Sequence, residues 1–159
     1  MKLRVIAAGT RMPAWVTEGT REYARRLPRE YRLEIVEIAL ASTRRGAPRA
    51  LQEEGGRMLA AVGERDRVIA LAVEGQALST AELARRFGKW QQQGRDLAFL
   101  IGGPEGLAPE CLERAELRWS LSPLTFPHAL VRVLLVEQLY RAWTVLVGHP
   151  YHREGQSQR

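Results

Sequence analysis

Cysteine is almost absent from this chain of 159 residues. Cys111 stands alone, which excludes an internal disulfide and points to a reducing, cytoplasmic compartment. No run of eighteen or more apolar residues occurs, and Met1 leads into a short strand-like segment instead of a charged leader and apolar block. The expectation is a soluble, unexported protein with no membrane partner. His149 and His152 lie three residues apart, but no carboxylate or thiol cluster supplies a third and fourth ligand, so no metal is expected. Gly9-Thr10-Arg11-Met12-Pro13, after the first apolar run, has neither the three glycines of a dinucleotide fingerprint nor the glycine-lysine-serine ending of a phosphate loop. A Rossmann dehydrogenase and a P-loop nucleotidase are therefore disfavoured.

Lysine is also scarce, so the formal charge of +6 comes mostly from arginine. Its planar guanidinium pairs phosphate oxygens bidentately and stacks on bases, which favours a polyanionic partner. Charge alone does not separate that reading from a merely solvated surface. The hydrophobic content of 45% is spread evenly, and the length suits one domain, taken as residues 1–154 with a polar, disordered tail at 155–159.

Apolar periodicity gives strands at 3–8, 32–38, 67–73, 97–101 and 117–121, and helices at 13–27, 49–62, 80–93, 110–115 and 129–147. Ser79 and Glu82 have capping-box spacing. The stretch 42–48, with Arg44 and Arg45, reads as a mobile basic loop. Strands alternating with helices predict an α/β fold, a parallel sheet covered on both faces, with ligands at the carboxyl ends of its strands.

Two loops fall at such ends. Gly102, Gly103 and Gly106 surround Pro104, and glycine there lets the main chain approach a ligand. The run Leu121, Ser122, Pro123, Leu124, Thr125, Phe126, Pro127 and His128 offers hydroxyls, amides and apolar cover for a purine. Either loop alone is better read as a connector; together they suggest a site. On the last helix Leu130, Val133, Leu134, Val136, Leu139, Tyr140, Trp143 and Val147 form a broad apolar face, suited to core or to contact with a second copy. Arg132, Glu137 and Arg141 interrupt it as charges of the usually solvated kind. Tyr151, His152 and Arg153 place phenol, imidazole and guanidinium together, a set suited to an extruded base and its phosphate.

With Glu22-Tyr23-Ala24-Arg25-Arg26-Leu27, Pro127-His128-Ala129-Leu130-Val131-Arg132-Val133 and the His149-Pro150-Tyr151-His152-Arg153 ending, these motifs in order resemble the ribosomal RNA large subunit methyltransferase H family from Met1 to Glu154. The resemblance implies a SPOUT-type sheet with a C-terminal trefoil knot, a homodimer, and transfer of a methyl group from S-adenosylmethionine to N3 of a pseudouridine in 23S rRNA within the ribosome. It implies cofactor contacts at Leu71, Gly102 and Leu121 through Phe126. Ala72 and Gln76 stand where the family often has aspartate and lysine.

For that reaction His152 and Arg153, with His128 behind them, are the candidate catalytic groups, because N3 must lose a weakly acidic proton. Tyr151, His152, Arg153 and Arg132 are the candidate substrate contacts. Gly102→Val is expected to remove cofactor binding and leave the fold, by filling space shared with adenosine. Arg25, Arg26, Arg44 and Arg45 are the expected source of salt-dependent RNA binding. The competing readings are a non-catalytic RNA-binding protein with a knotted fold and a SPOUT enzyme acting on transfer RNA.

Overall fold

The computed structural model describes residues 1–153. Strands β1 (Lys2–Ala8), β2 (Arg32–Ile38), β3 (Arg67–Ala77), β4 (Leu97–Ile101) and β5 (Leu117–Ser120) alternate with helices α1 (Ala14–Ala24), α2 (Ala47–Ala60), α3 (Thr80–Gln93) and α4 (Pro109–Arg114), and α5 (His128–Val147) follows. The strands form one sheet in the order β2-β1-β4-β3-β5, every ladder parallel. Glu154 and the expected tail at 155–159 lie outside the described residues.

The continuous apolar runs have a direct cause, because β1 and β4 are buried on both faces. Leu3, Val5 and Ala7 point into one core with Phe99, Phe87 of α3 and Leu135 and Leu139 of α5. Ile6 and Ala8 point into the other with Leu100, Met58 of α2 and Cys111 of α4. Truncating one of these side chains, such as Leu139→Ala, costs about 2–5 kcal/mol.

Ser79 and Glu82 form the expected reciprocal cap of α3, and Gly94 ends that helix in the left-handed conformation. The Gly55-Gly56 pair does not break α2. A Cβ at Gly55 would lie 2.5 Å from that of Ala108, so glycine is what allows α2 to close on the segment entering α4. The expected mobile loop instead holds a 3₁₀ turn at Thr43–Arg45, where the Ser42 hydroxyl accepts from the Arg44 amide at 3.3 Å. A further 3₁₀ turn, Pro150–Arg153, follows α5 and has no counterpart in the sequence reading.

Glu74-Gly75 spells a turn after the apolar run of β3, but in the structure it belongs to an excursion within the strand. Leu71 and Gln76 both pair with Trp119, so residues 72–75 loop out between them and β3 then resumes. Gly75 permits the return, since a Cβ there would come 2.7 Å from the Arg118 carbonyl. The excursion shapes the site.

Candidate active site

At the carboxyl end of β4 the chain turns sharply. Gly106 donates its amide to the Gly103 carbonyl at 2.9 Å and takes φ +79°, a value that favours glycine. A Cβ on Gly102 would lie 2.5 Å from the Gly106 carbonyl group. The reason expected for a glycine at 102 is thereby corrected: the side chain would strike the turn's own main chain, so Gly102→Val deforms the loop itself.

Beyond β5 a second loop is held by its own hydroxyls. Ser120 donates to the Ser122 carbonyl at 3.0 Å, and the Ser122 hydroxyl accepts from the Leu124 amide at 3.0 Å. Local hydrogen bonds of this kind fix a loop that no ladder supports.

The two loops and the 72–75 excursion border an open cavity of about 530 Å³. That is the size of a small-molecule site. Leu71, Val73, Ile101, Trp119, Leu121 and Val131 give it apolar walls, while Ser122, Thr125, Glu74, Glu105 and His128 bring polar groups. Of the expected cofactor residues, Leu71, Gly102, Leu121, Ser122, Leu124, Thr125 and Phe126 line it together. Pro123 stands in the same loop but off the lining, and Arg132 of α5 and Tyr151, His152 and Arg153 of the terminal 3₁₀ turn also lie off it.

Arg132, expected as a substrate contact, is only 2% exposed. Its guanidinium donates to the Glu37 carboxylate at 2.7 Å and to the Gly9 carbonyl at 2.7 Å, while Nε is buried without a partner. It ties α5 to the ends of β1 and β2. A Cβ on Gly9 would lie 3.6 Å from His128 Nε2, so the 9–13 loop abuts the His128 side of the cavity.

The terminal turn folds back on its own helix. The Tyr151 hydroxyl donates to Glu137 at 2.9 Å, and its ring lies 4.6 Å from that of Tyr140 between the guanidinium groups of Arg26 and Arg141. Burial, and then hydrogen bonds to Tyr23 and Glu137, push the Tyr151 phenol well above its ordinary value. His152 has a buried Nδ1 without a partner. Glu137 is six residues along α5 from Val131, about 9 Å at the helical rise, so Tyr151 is anchored away from the cavity of its own chain.

Arg25 and Arg26, expected on the RNA surface, both pair with Glu22. Among the described residues no three histidine, cysteine or acidic side chains are placed to hold a metal ion. No helix among them is long and apolar enough to cross a membrane.

Trp119, Val131, Leu107, Leu112 and Glu74 line the cavity without having been singled out from sequence. For Trp119 a signal existed, since strand alternation puts it on the same face of β5 as Leu117, opposite the exposed Arg118. For Glu74 none did, because its placement depends on the excursion.

A family model described as a predicted SPOUT methyltransferase matches residues 1–152. Proteins named ribosomal RNA large subunit methyltransferase H are similar along almost the whole chain. Those of Chromohalobacter salexigens and Alkalilimnicola ehrlichii are each 61% identical over 155 residues, covering 96% of this chain and 100% and 99% of theirs. That of Pseudomonas aeruginosa is 55% identical with 96% and 100% covered. A solved structure of a probable methylase family protein from Haemophilus influenzae superposes with a TM-score of 0.54 at 14% identity, covering 93% of this chain and 69% of the other, a likeness of fold.

Proposed function

This chain belongs to the SPOUT methyltransferase family, and from that premise we propose that it transfers a methyl group from S-adenosylmethionine to N3 of a pseudouridine in the 23S rRNA of the large ribosomal subunit. The observation that carries the reading is the cavity of about 530 Å³ bordered by the Gly102 to Gly106 turn and the Leu121 to Phe126 loop. The names of relatives at 55–61% identity support the RNA substrate. A substrate of that kind places the protein in the cytoplasm.

The cavity fits the cofactor. Apolar walls at Leu71, Ile101, Trp119 and Val131 suit the adenine faces, and main-chain groups of both loops suit its edge. The Ser122 and Thr125 hydroxyls and the Glu74 and Glu105 carboxylates suit ribose and amino groups. When bound, the cofactor supplies an electrophilic methyl group, and the protein's principal task is alignment of the attacking nitrogen.

His128, on the lining, receives or relays the N3 proton. Arg132 is a positioning residue that fixes the 9–13 loop beside it. Tyr151, His152 and Arg153 hold the target nucleotide in the cavity of a second copy, because in their own chain Tyr151 is tied to Glu137 and Tyr140 and none of the three lines the cavity. Leu130, Val133 and Leu134, half-buried on α5, support a homodimer seam. The domain taken as residues 1–154, with a trefoil knot in its C-terminal part, belongs to the same reading.

The test is incubation with methyl-labelled S-adenosylmethionine and, separately, purified ribosomes and bulk transfer RNA. Label in 23S rRNA at a pseudouridine is the expected result. Label in transfer RNA would move the substrate assignment, and no calorimetric binding of the cofactor at millimolar concentration would reduce the protein to an RNA binder.

A further inference from the structure

Across the 72–75 excursion from the cavity, α3 borders a second concavity. Lys89 follows Arg85 and Arg86 at four- and three-residue spacing, on the side away from the buried Phe87. With Arg67 and Gln76 of β3 they line a cleft of about 740 Å³.

The charges of Arg85, Arg86 and Lys89 are not neutralised. Other arginines meet acids: Arg25 and Arg26 meet Glu22, Arg57 meets Glu53, Arg95 meets Glu116, and Arg67, on the cleft's own lining, meets the same Glu116. Among the described residues no carboxylate lies within ion-pair distance of Arg85, Arg86 or Lys89. Arg86 donates to the neutral Gln76 at 3.4 Å. The one acid on the lining, Glu82, accepts from the Ser79 amide at 2.8 Å as part of the helix cap. Like charges three and four residues apart oppose the helix that carries them. Their placement therefore does not serve α3, and in a concave slot such charges focus a positive potential.

The cleft and the cavity share a wall. Leu71 and Glu74 line the cavity, Gln76 lines the cleft, and Leu71 and Gln76 pair with the same Trp119. We infer that this cleft is a track for the RNA backbone: phosphodiester groups flanking the target nucleotide lie on Arg85, Arg86 and Lys89 while the base enters the adjoining cavity. Guanidinium and ammonium donors suit phosphate oxygens and read no sequence. The inference rests on the RNA substrate proposed above.

The experiment compares the wild-type protein with two charge-matched variants. One carries Arg85→Gln, Arg86→Gln and Lys89→Gln. The other carries Arg29→Gln, Arg32→Gln and Arg65→Gln, exposed positions at the amino-terminal edge of the sheet. Binding to a short fluorescent single-stranded RNA and to large ribosomal subunits is measured against salt, and S-adenosylmethionine affinity by calorimetry. The expected result is RNA binding at least about tenfold weaker at low salt in the cleft variant, with a salt slope shallower by about two, near 0.7 per lost phosphate contact. The edge variant should keep the wild-type slope, and both should keep the wild-type cofactor affinity. Equal loss in the two variants would reduce the effect to net charge and overturn the track. So would an unchanged slope in the cleft variant, loss of its cofactor affinity, or a wild-type protein that binds no RNA. A wild-type protein that binds RNA through the cleft yet transfers no methyl group would leave the track standing and defeat the enzymatic reading instead.

Discussion

Arg132 and Glu37 meet across the carboxyl edge of the sheet, guanidinium to carboxylate at 2.7 Å, with the arginine only 2% exposed and the glutamate open to solvent on one side. The same guanidinium satisfies the Gly9 carbonyl at 2.7 Å. Arg132→Leu should therefore lower stability by about 2–4 kcal/mol, because a buried acceptor loses its donor and a carboxylate its partner. Glu37→Gln should cost about 1 kcal/mol or less, since an amide oxygen still accepts and water reaches the site. Urea unfolding of both variants checks the order. An Arg132→Leu protein as stable as wild type would make the pair incidental.

Gly102 and Gly94 separate two reasons for glycine. Gly94 takes φ +70° with open space around its missing Cβ, so Gly94→Ala should cost about 1 kcal/mol and leave cofactor affinity alone. A Cβ on Gly102 would come 2.5 Å from the Gly106 main chain, so Gly102→Ala must open the turn that forms one side of the cavity. Overpacking of about 1–3 kcal/mol, relieved by that opening, predicts at least about a tenfold loss of S-adenosylmethionine affinity by calorimetry. Equal affinities in the two variants would take the turn out of the site.

Cys111 is fully buried beside α2, and burial, then the nearby Glu110 charge, pushes its thiol up to about 11. The folded-state value is raised above the ordinary 9.0, so the stability linked to the neutral thiol is fully present below about pH 9 and is lost as pH rises towards 11. The expected loss is about 2–3 kcal/mol across that window. Cys111→Ala should flatten that part of the curve in unfolding experiments at pH 8, 9, 10 and 11. The native thiol should also resist alkylation at pH 8, since little thiolate exists and none is exposed. A Cys111→Ala curve as steep as wild type would assign the alkaline loss to other groups, Tyr151 first among them.

The elements were legible where one local rule decided them. β2, α3 and β4 have the bounds that apolar runs and the Ser79 to Glu82 cap imply. The excursion at 72–75 was not legible, because Glu74-Gly75 spells an ordinary turn and only the return of Gln76 to Trp119 shows otherwise. The cavity loops were legible as glycine and proline clusters at strand ends. The burial of Arg132 was not legible, because its partners lie at residues 8, 9 and 37, distant in sequence. Arg25 and Arg26 look free in a charge count, although their three- and four-residue spacing from Glu22 on the expected helix spells the pairs that the structure forms.

The tail raises the question of which cavity it serves. Tyr151 is held by Glu137 and Tyr140, about 9 Å along α5 from the nearest cavity residue on that helix, and neither His152 nor Arg153 lines the cavity of its own chain. If these residues act in methyl transfer, they reach a second copy. Two variants test this. Gly102→Val removes the cavity, and His152→Ala with Arg153→Ala removes the tail groups while keeping the Tyr151 anchor. Each should be inactive alone. Mixed in equal amounts under conditions that exchange subunits, half the dimers are mixed, and with shared sites each has one intact cavity facing one intact tail. Activity should return to about one quarter of wild type by that symmetry argument. If each tail serves its own cavity, every site in a mixed dimer lacks one component. A mixture shown by mass spectrometry to have exchanged fully, yet still inactive, would therefore place the tail and the cavity in one chain.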